Sequence, residues 1–250
     1  MNTTKESPQG TNRKTAIIVG VLYIIGTVAG VLSVVVTTPI LGASDYLAKV
    51  AANANQLTTG ALLVLLMGLA LATVPFVIFP VLKKHNEILA LGYVVFRGAL
   101  ETVTYIASVI LWLFLLIAGR EYVTAGTTDA SFFQTLGSLL KEGNDSIAPI
   151  TGIVFSLGAL MLYYLLYQSK LIPRWISGWG VIAIAMHLAT CFLIMFRLQS
   201  AFSTINMVMN APIFFQEMVM AVWLIVKGFN PTAVDSPSAK TATKELLSAA

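Results

Sequence analysis

Twenty-four consecutive residues, Thr15 to Thr38, carry no charged side chain. A membrane-spanning helix needs about 20 predominantly apolar residues to cross the hydrocarbon core. The apolar core of a signal peptide is shorter, roughly 7–15 residues, so this run reads as a retained span. Comparable runs recur at 59–82, 88–118, 149–167, 175–196 and 210–227. Only 10% of the 250 residues are charged and the mean hydropathy is +0.84. A soluble domain carries about 25% charged residues, so this chain cannot cover itself in water. The expected fold is all-α: one integral membrane domain over 15–229, a bundle of six transmembrane helices. Two short amphipathic surface helices are expected on its outer face.

The connections give the detail. Residues 1–14 read as a flexible basic tail, with Lys5, Arg13 and Lys14. Pro39 ends the first span. Ser44 to Leu57 places Leu47, Val50, Ala51, Ala54 and Leu57 at helical spacing, with Ser44 or Asp45 as cap. This is the first surface helix. Pro75 and Pro80 predict a kink late in the second span. Lys83, Lys84 and His85 form a basic turn. Arg120 to Ala148 is the longest connection. The second surface helix falls within it at Ala130–Leu140, opened by Asp129 and ended by Gly143, Asn144 and Asp145. Pro149 opens the fourth span. Lys170 and Arg174 mark another basic turn, and Asn210 caps the sixth span. Residues 230–250 read as a disordered tail.

Lysine and arginine set the orientation. With the N-terminus in the cytoplasm, ten of these residues lie in cytoplasmic segments and four in outer ones. That bias satisfies the positive-inside rule and places both termini in the cytoplasm. It also accounts for the net charge of +4 without a nucleic-acid partner. The single cysteine, Cys191, allows no disulfide within the chain.

Charges inside the spans carry the functional question. Arg97 and Glu101 sit within the third run, four residues apart and so on one helix face. A charge at the bilayer centre costs from about 3 to over 10 kcal/mol unless it is paired or faces water. Helix rise puts Glu101, His187 in the fifth span and Glu217 in the sixth at similar depth, with Arg97 a little deeper. Four readings compete. The group lines an outward-facing polar cavity that binds a small solute or moves protons. Or Glu101, His187 and Glu217 hold a metal, which two histidines in the whole chain make a poor zinc site. Or Arg97 neutralises Glu101 and Glu217 and ties helices together. Or the groups face watery edges and do little.

No G-x-S-x-G, P-loop, H-E-x-x-H or C-x-x-C pattern occurs, and nothing calls for a cofactor. Three spans followed by three would make inverted halves, a transporter layout. The third and sixth spans each carry a glutamate followed by a tryptophan: Glu101 with Trp112, and Glu217 with Trp223.

Three segments carry a resemblance: FRGALE at Phe96–Glu101, SKLIPRWISGWG at Ser169–Gly180 and EMVMAVWLIVKGFN at Glu217–Asn230. Together they resemble the bacterial membrane proteins grouped as domain of unknown function 4386. The resemblance implies a short, multi-pass bacterial protein of the cytoplasmic (inner) membrane. It puts Arg97, Glu101 and Glu217 at motif positions, whereas His187 joins the site on depth alone. It implies no activity. The leading expectation is therefore non-enzymatic, binding or moving a small solute or proton through the polar cavity. The alternatives are an intramembrane enzyme acting on a lipid-like substrate, or a structural or accessory subunit of an envelope complex. The lipid bilayer is the one partner the residues require. The solute and the oligomeric state stay open.

Overall fold

The computed structural model describes residues 8–201 and 203–234. Among them there is no strand. Helices α1 (Pro8–Leu41), α2 (Tyr46–Ala52) and α3 (Ala54–Leu82) are followed by α4 (Glu87–Tyr93), a π-helical segment (Val94–Leu100) and α5 (Glu101–Thr124). Then come α6 (Gly126–Ser169), α7 (Arg174–Met195), α8 (Thr204–Val226) and a single turn, α9 (Pro231–Val234). Six continuous helices are long and apolar enough to cross a membrane, with α4, the π segment and α5 forming one of them. The chain is a multi-pass helical membrane bundle.

The spans close into a ring in chain order. Each packs on the next, and α8 returns to pack on α1. The most extensive packing is that of α1 on α3. Gly26 and Gly30 make that possible, since a Cβ there would sit 2.7 Å from Leu71 and 2.6 Å from Met67. Small residues let membrane helices approach closely where no hydrophobic effect drives them together. Outward-facing Val35, Leu62, Leu69, Val103 and Ile182 are each more than half exposed, as a lipid-facing surface requires.

Several expectations need correction. The tail over 1–14 is helical from Pro8, and residues 1–7 lie outside the described residues. Arg13 is tied down rather than free. Its guanidinium donates to the carbonyls of Leu224 (3.0 Å), Ile225 (2.6 Å) and Val226 (3.2 Å). These are orphan acceptors at the end of α8, where a cation also meets the negative end of the helix dipole. At the other terminus, Asn230 N donates to Leu171 O (2.8 Å) and its side chain accepts from Thr232. Phe229, Ala233 and Val234 are buried in the main core. Residues 230–234 are therefore ordered by apolar burial. The rest of the tail expected over 230–250 lies outside the described residues.

The two surface helices also differ from expectation. The first is α2, and it docks on protein rather than lying on lipid. Leu47 and Val50 are buried against α5 and α6, where Gly119 and Gly137 leave room for them. The second does not exist as a separate helix. Ala130–Leu140 runs unbroken into the fourth span as one 44-residue helix, about 66 Å long at ~1.5 Å per residue. Pro149 does not open a span; it lies inside α6. Gly143, Asn144 and Asp145 fail to end the helix because Leu136 and Leu140 continue one apolar face against α5 and α2. The α5–α6 hairpin therefore extends beyond the hydrocarbon core and carries α2 on its side.

The sixth span begins earlier than expected. Ser203 caps α8, its hydroxyl accepting from Asn206 N (3.2 Å). Asn210 and Pro212 are interior positions, which frees the Asn210 side chain for another role.

Candidate functional site

The third span changes hydrogen-bond register where its charges begin. From Val94 to Leu100 it is π-helical, and the Glu101 amide donates to Phe96 O, five residues back. Such wide turns are rare and frequent at functional sites. Hydroxyls take up neighbouring carbonyls: Thr102 donates to Gly98 O and Thr104 to Glu101 O, each at 2.7 Å. Gly158 on α6 makes room for the widened turn. A Cβ there would sit 3.1 Å from Arg97 N and 3.2 Å from Phe96 Cβ.

Arg97 points into the ring. Its Nη1 donates to both oxygens of Glu101, at 3.0 and 3.1 Å. Its Nη2 donates to Glu217 Oε1 at 3.3 Å. Tyr105 OH donates to Glu101 Oε1 at 2.7 Å. The guanidinium lies over the Phe155 ring, 4.4 Å from its centroid, and 5.8 Å from that of Tyr23. A cation over an aromatic face is attracted to the ring quadrupole, more so when desolvated. Tyr23 and Tyr93 complete the wall, their hydroxyls 3.0 Å apart. Arg97 Nε has no hydrogen-bond partner among the described residues.

Burial grades the group. Arg97 is 3% exposed and Glu101 is 1% exposed, while the Glu217 side chain retains 15%. The cluster is closed in this conformation and does not line a wide outward opening. Of the three, Glu217 alone keeps partial exposure.

Three of the four expected residues come together: Arg97, Glu101 and Glu217. Arg97 lies about 15 Å from the end of its span at Glu87, and Glu217 about 14 Å from the end of its own at Val226, on the same face. His187 does not join them. It stands about 20 Å from that face along α7, level with Glu101 at about 21 Å, and belongs to a second polar layer set beside the first. His187 Nδ1 donates to Asn210 Oδ1, and Asn210 Nδ2 donates to Asn206 O and Oδ1, both at 2.8 Å. Cys191 Sγ is 3.6 Å from His187 Nε2. Phe155 divides the two layers, with its face to Arg97 and its ring 5.3 Å from His187 in an edge-on arrangement. Of the equal depths expected for Glu101, His187 and Glu217, that of Glu217 rested on a sixth span starting at Asn210. Moving its start to Thr204 moves Glu217 away from the outer rim. Among the described residues no group of three His, Cys, Asp or Glu side chains is placed to hold a metal ion.

Tyr23, Tyr93, Tyr105, Phe155 and Asn210 were not anticipated as site residues. Tyr105 had a legible signal, since it lies four residues after Glu101 on the same face. So did Tyr93, four residues before Arg97 in the same continuous span; Tyr23, Phe155 and Asn210 come from other helices and reach the site only through packing.

This is a polar cluster in the centre of a six-span helical membrane bundle. The profile of the family described as domain of unknown function (DUF4386) matches residues 18–228, and the chain belongs to that family. No curated protein and no solved structure matches it.

Proposed function

We propose that the Arg97–Glu101–Glu217 cluster binds a proton or a small cation inside the bundle, and that the protein moves this charge between the cluster and one membrane face. One observation carries the reading: two carboxylates share a single buried guanidinium. With all three ionised the cluster holds one negative charge more than it neutralises. An uncompensated buried charge is costly, and a proton or a cation offsets it. Glu217 is the exchanging member. It holds Arg97 through one 3.3 Å contact and keeps partial access. The orientation proposed with it puts both termini in the cytoplasm of a bacterial cell and the cluster nearer the inner face, supported by the distribution of lysine and arginine.

Glu101 favours a second role within the same cluster. Bonded by both oxygens to Arg97 and also to Tyr105, it acts as the structural anchor of the guanidinium.

Infrared spectroscopy of the protein in proteoliposomes tests the division. The wild type is expected to show one carboxyl band that titrates with pH or disappears on adding a cation. Glu217→Gln removes that band and Glu101→Gln keeps it. A wild type with no carboxyl responding to either would overturn the proposal.

A further inference from the structure

The membrane face that carries the α6–α7 turn and the end of α8 has two adjoining hollows. One, of about 450 Å³, is lined by Lys170, Arg174, Trp223 and Lys227 with the turns between them. The other, of about 440 Å³, is an apolar groove between α7 and α8, walled by Trp175, Phe215, Val222 and Trp223 and closed at one end by Lys227. Trp223 and Lys227 line both.

The polar hollow is built for an anion. Its three cations form no ion pair among the described residues, and no carboxylate lines it. Arg174 is held in place, its Nε donating to Tyr167 O at 3.2 Å and its guanidinium 5.1 Å from the Tyr167 ring centroid. Lys170 ends α6 with a left-handed backbone, φ 57°. The hollow also receives the start of α7. Pro173 offers no capping side chain, and the first turn holds no acidic residue. The positive end of that 22-residue helix therefore meets the hollow uncompensated, as anion sites at helix N-termini require. The apolar groove continues from this hollow along the lipid-facing surface, where Val222 and Val226 are more than half exposed.

We propose that the two hollows form one binding site for an anionic phospholipid. Its phosphate sits among Lys170, Arg174 and Lys227 at the start of α7, and one acyl chain lies in the groove against Val222 and Trp223. Charge complementarity selects the headgroup, and continuity with the apolar groove selects a lipid over a free anion. Basic pockets between spans on the cytoplasmic side recognise such headgroups.

Native mass spectrometry and thermal unfolding of the full chain in non-ionic detergent test this with three probes. These are phosphatidylglycerol, phosphatidylcholine with the same acyl chains, and glycerol phosphate without chains. Phosphatidylglycerol is expected to stay bound one to one and to raise the unfolding temperature; the other two do neither. Changing Lys170, Arg174 and Lys227 together to Gln weakens phosphatidylglycerol binding by about tenfold or more. Val222→Trp, which fills the groove and leaves the cations, also weakens it. Equal binding of the two lipids overturns the proposal. So does a glycerol phosphate effect matching that of the lipid, which would define a free-anion site. Should the triple variant fail to fold, the three-probe comparison on the wild type decides alone.

Discussion

Arg97 Nη2 lies 3.3 Å from Glu217 Oε1 and joins the third span to the sixth. The two spans are not neighbours in the ring, so this contact crosses its interior. One guanidinium thereby holds both carboxylates, at different strengths.

That difference predicts unequal losses. Glu101→Gln replaces the two charge-assisted contacts to Arg97 with one neutral amide oxygen that Tyr105 also needs, so it is expected to destabilise by about 3 kcal/mol or more. Glu217→Gln loses a single, longer contact at a partly accessible site, about 1–2 kcal/mol. Thermal unfolding in one detergent measures both. Equal losses would contradict the assignment of Glu101 as anchor and Glu217 as exchanger.

Gly158 tests the packing under the π turn. Gly158→Ala places a Cβ 3.1 Å from the Arg97 amide, and backbone on both sides has little freedom to yield. Overpacking of this kind costs about 1–3 kcal/mol. Gly178, where the nearest atom to an added Cβ is 3.6 Å away on Tyr167, is the control. Gly158→Ala should lower the unfolding temperature more than Gly178→Ala.

The bond from α1 to the end of α8 is open to a direct check. Arg13→Gln removes a cation from three orphan carbonyls. The expected loss is about 0.3–2 kcal/mol, the range for a cation at a helix C-terminus. Hydrogen exchange should show the last turn of α8 opening more often. Unchanged protection at Leu224 to Val226 would assign Arg13 no capping role.

His85, in the turn between α3 and α4, predicts a pH dependence. Burial and the adjacent Lys84 hold its imidazole below its usual 6.5. The unfolded chain therefore takes up a proton at higher pH than the folded one. Stability from this group is complete above about pH 6.5 and falls as the pH drops below it toward the folded-state value. His85→Gln should flatten the decline of unfolding temperature over that interval. A variant with the same acid slope as wild type would show that other groups set it.

The sequence by itself determined the number of spans and the pairing of Arg97 with Glu101. Each is local: a span is a run of about 20 apolar residues, and a four-residue spacing puts two side chains on one helix face. Tyr105 was legible by the same rule. The sequence also held the family resemblance, in FRGALE, SKLIPRWISGWG and EMVMAVWLIVKGFN. Only the tertiary structure decided which distant groups meet. Glu217 reaches Arg97 because the ring closes in chain order and both face its interior at one depth. His187 does not, because Phe155 fills the space between and Asn210 takes its ring nitrogen. The π turn depends on room left by Gly158 on another helix. The unbroken α6 depends on an apolar face that α5 and α2 cover, which outweighs the local stop signals at Gly143–Asp145 and Pro149. Local composition sets where a helix can form; packing between helices sets where it ends and which side chains share a site.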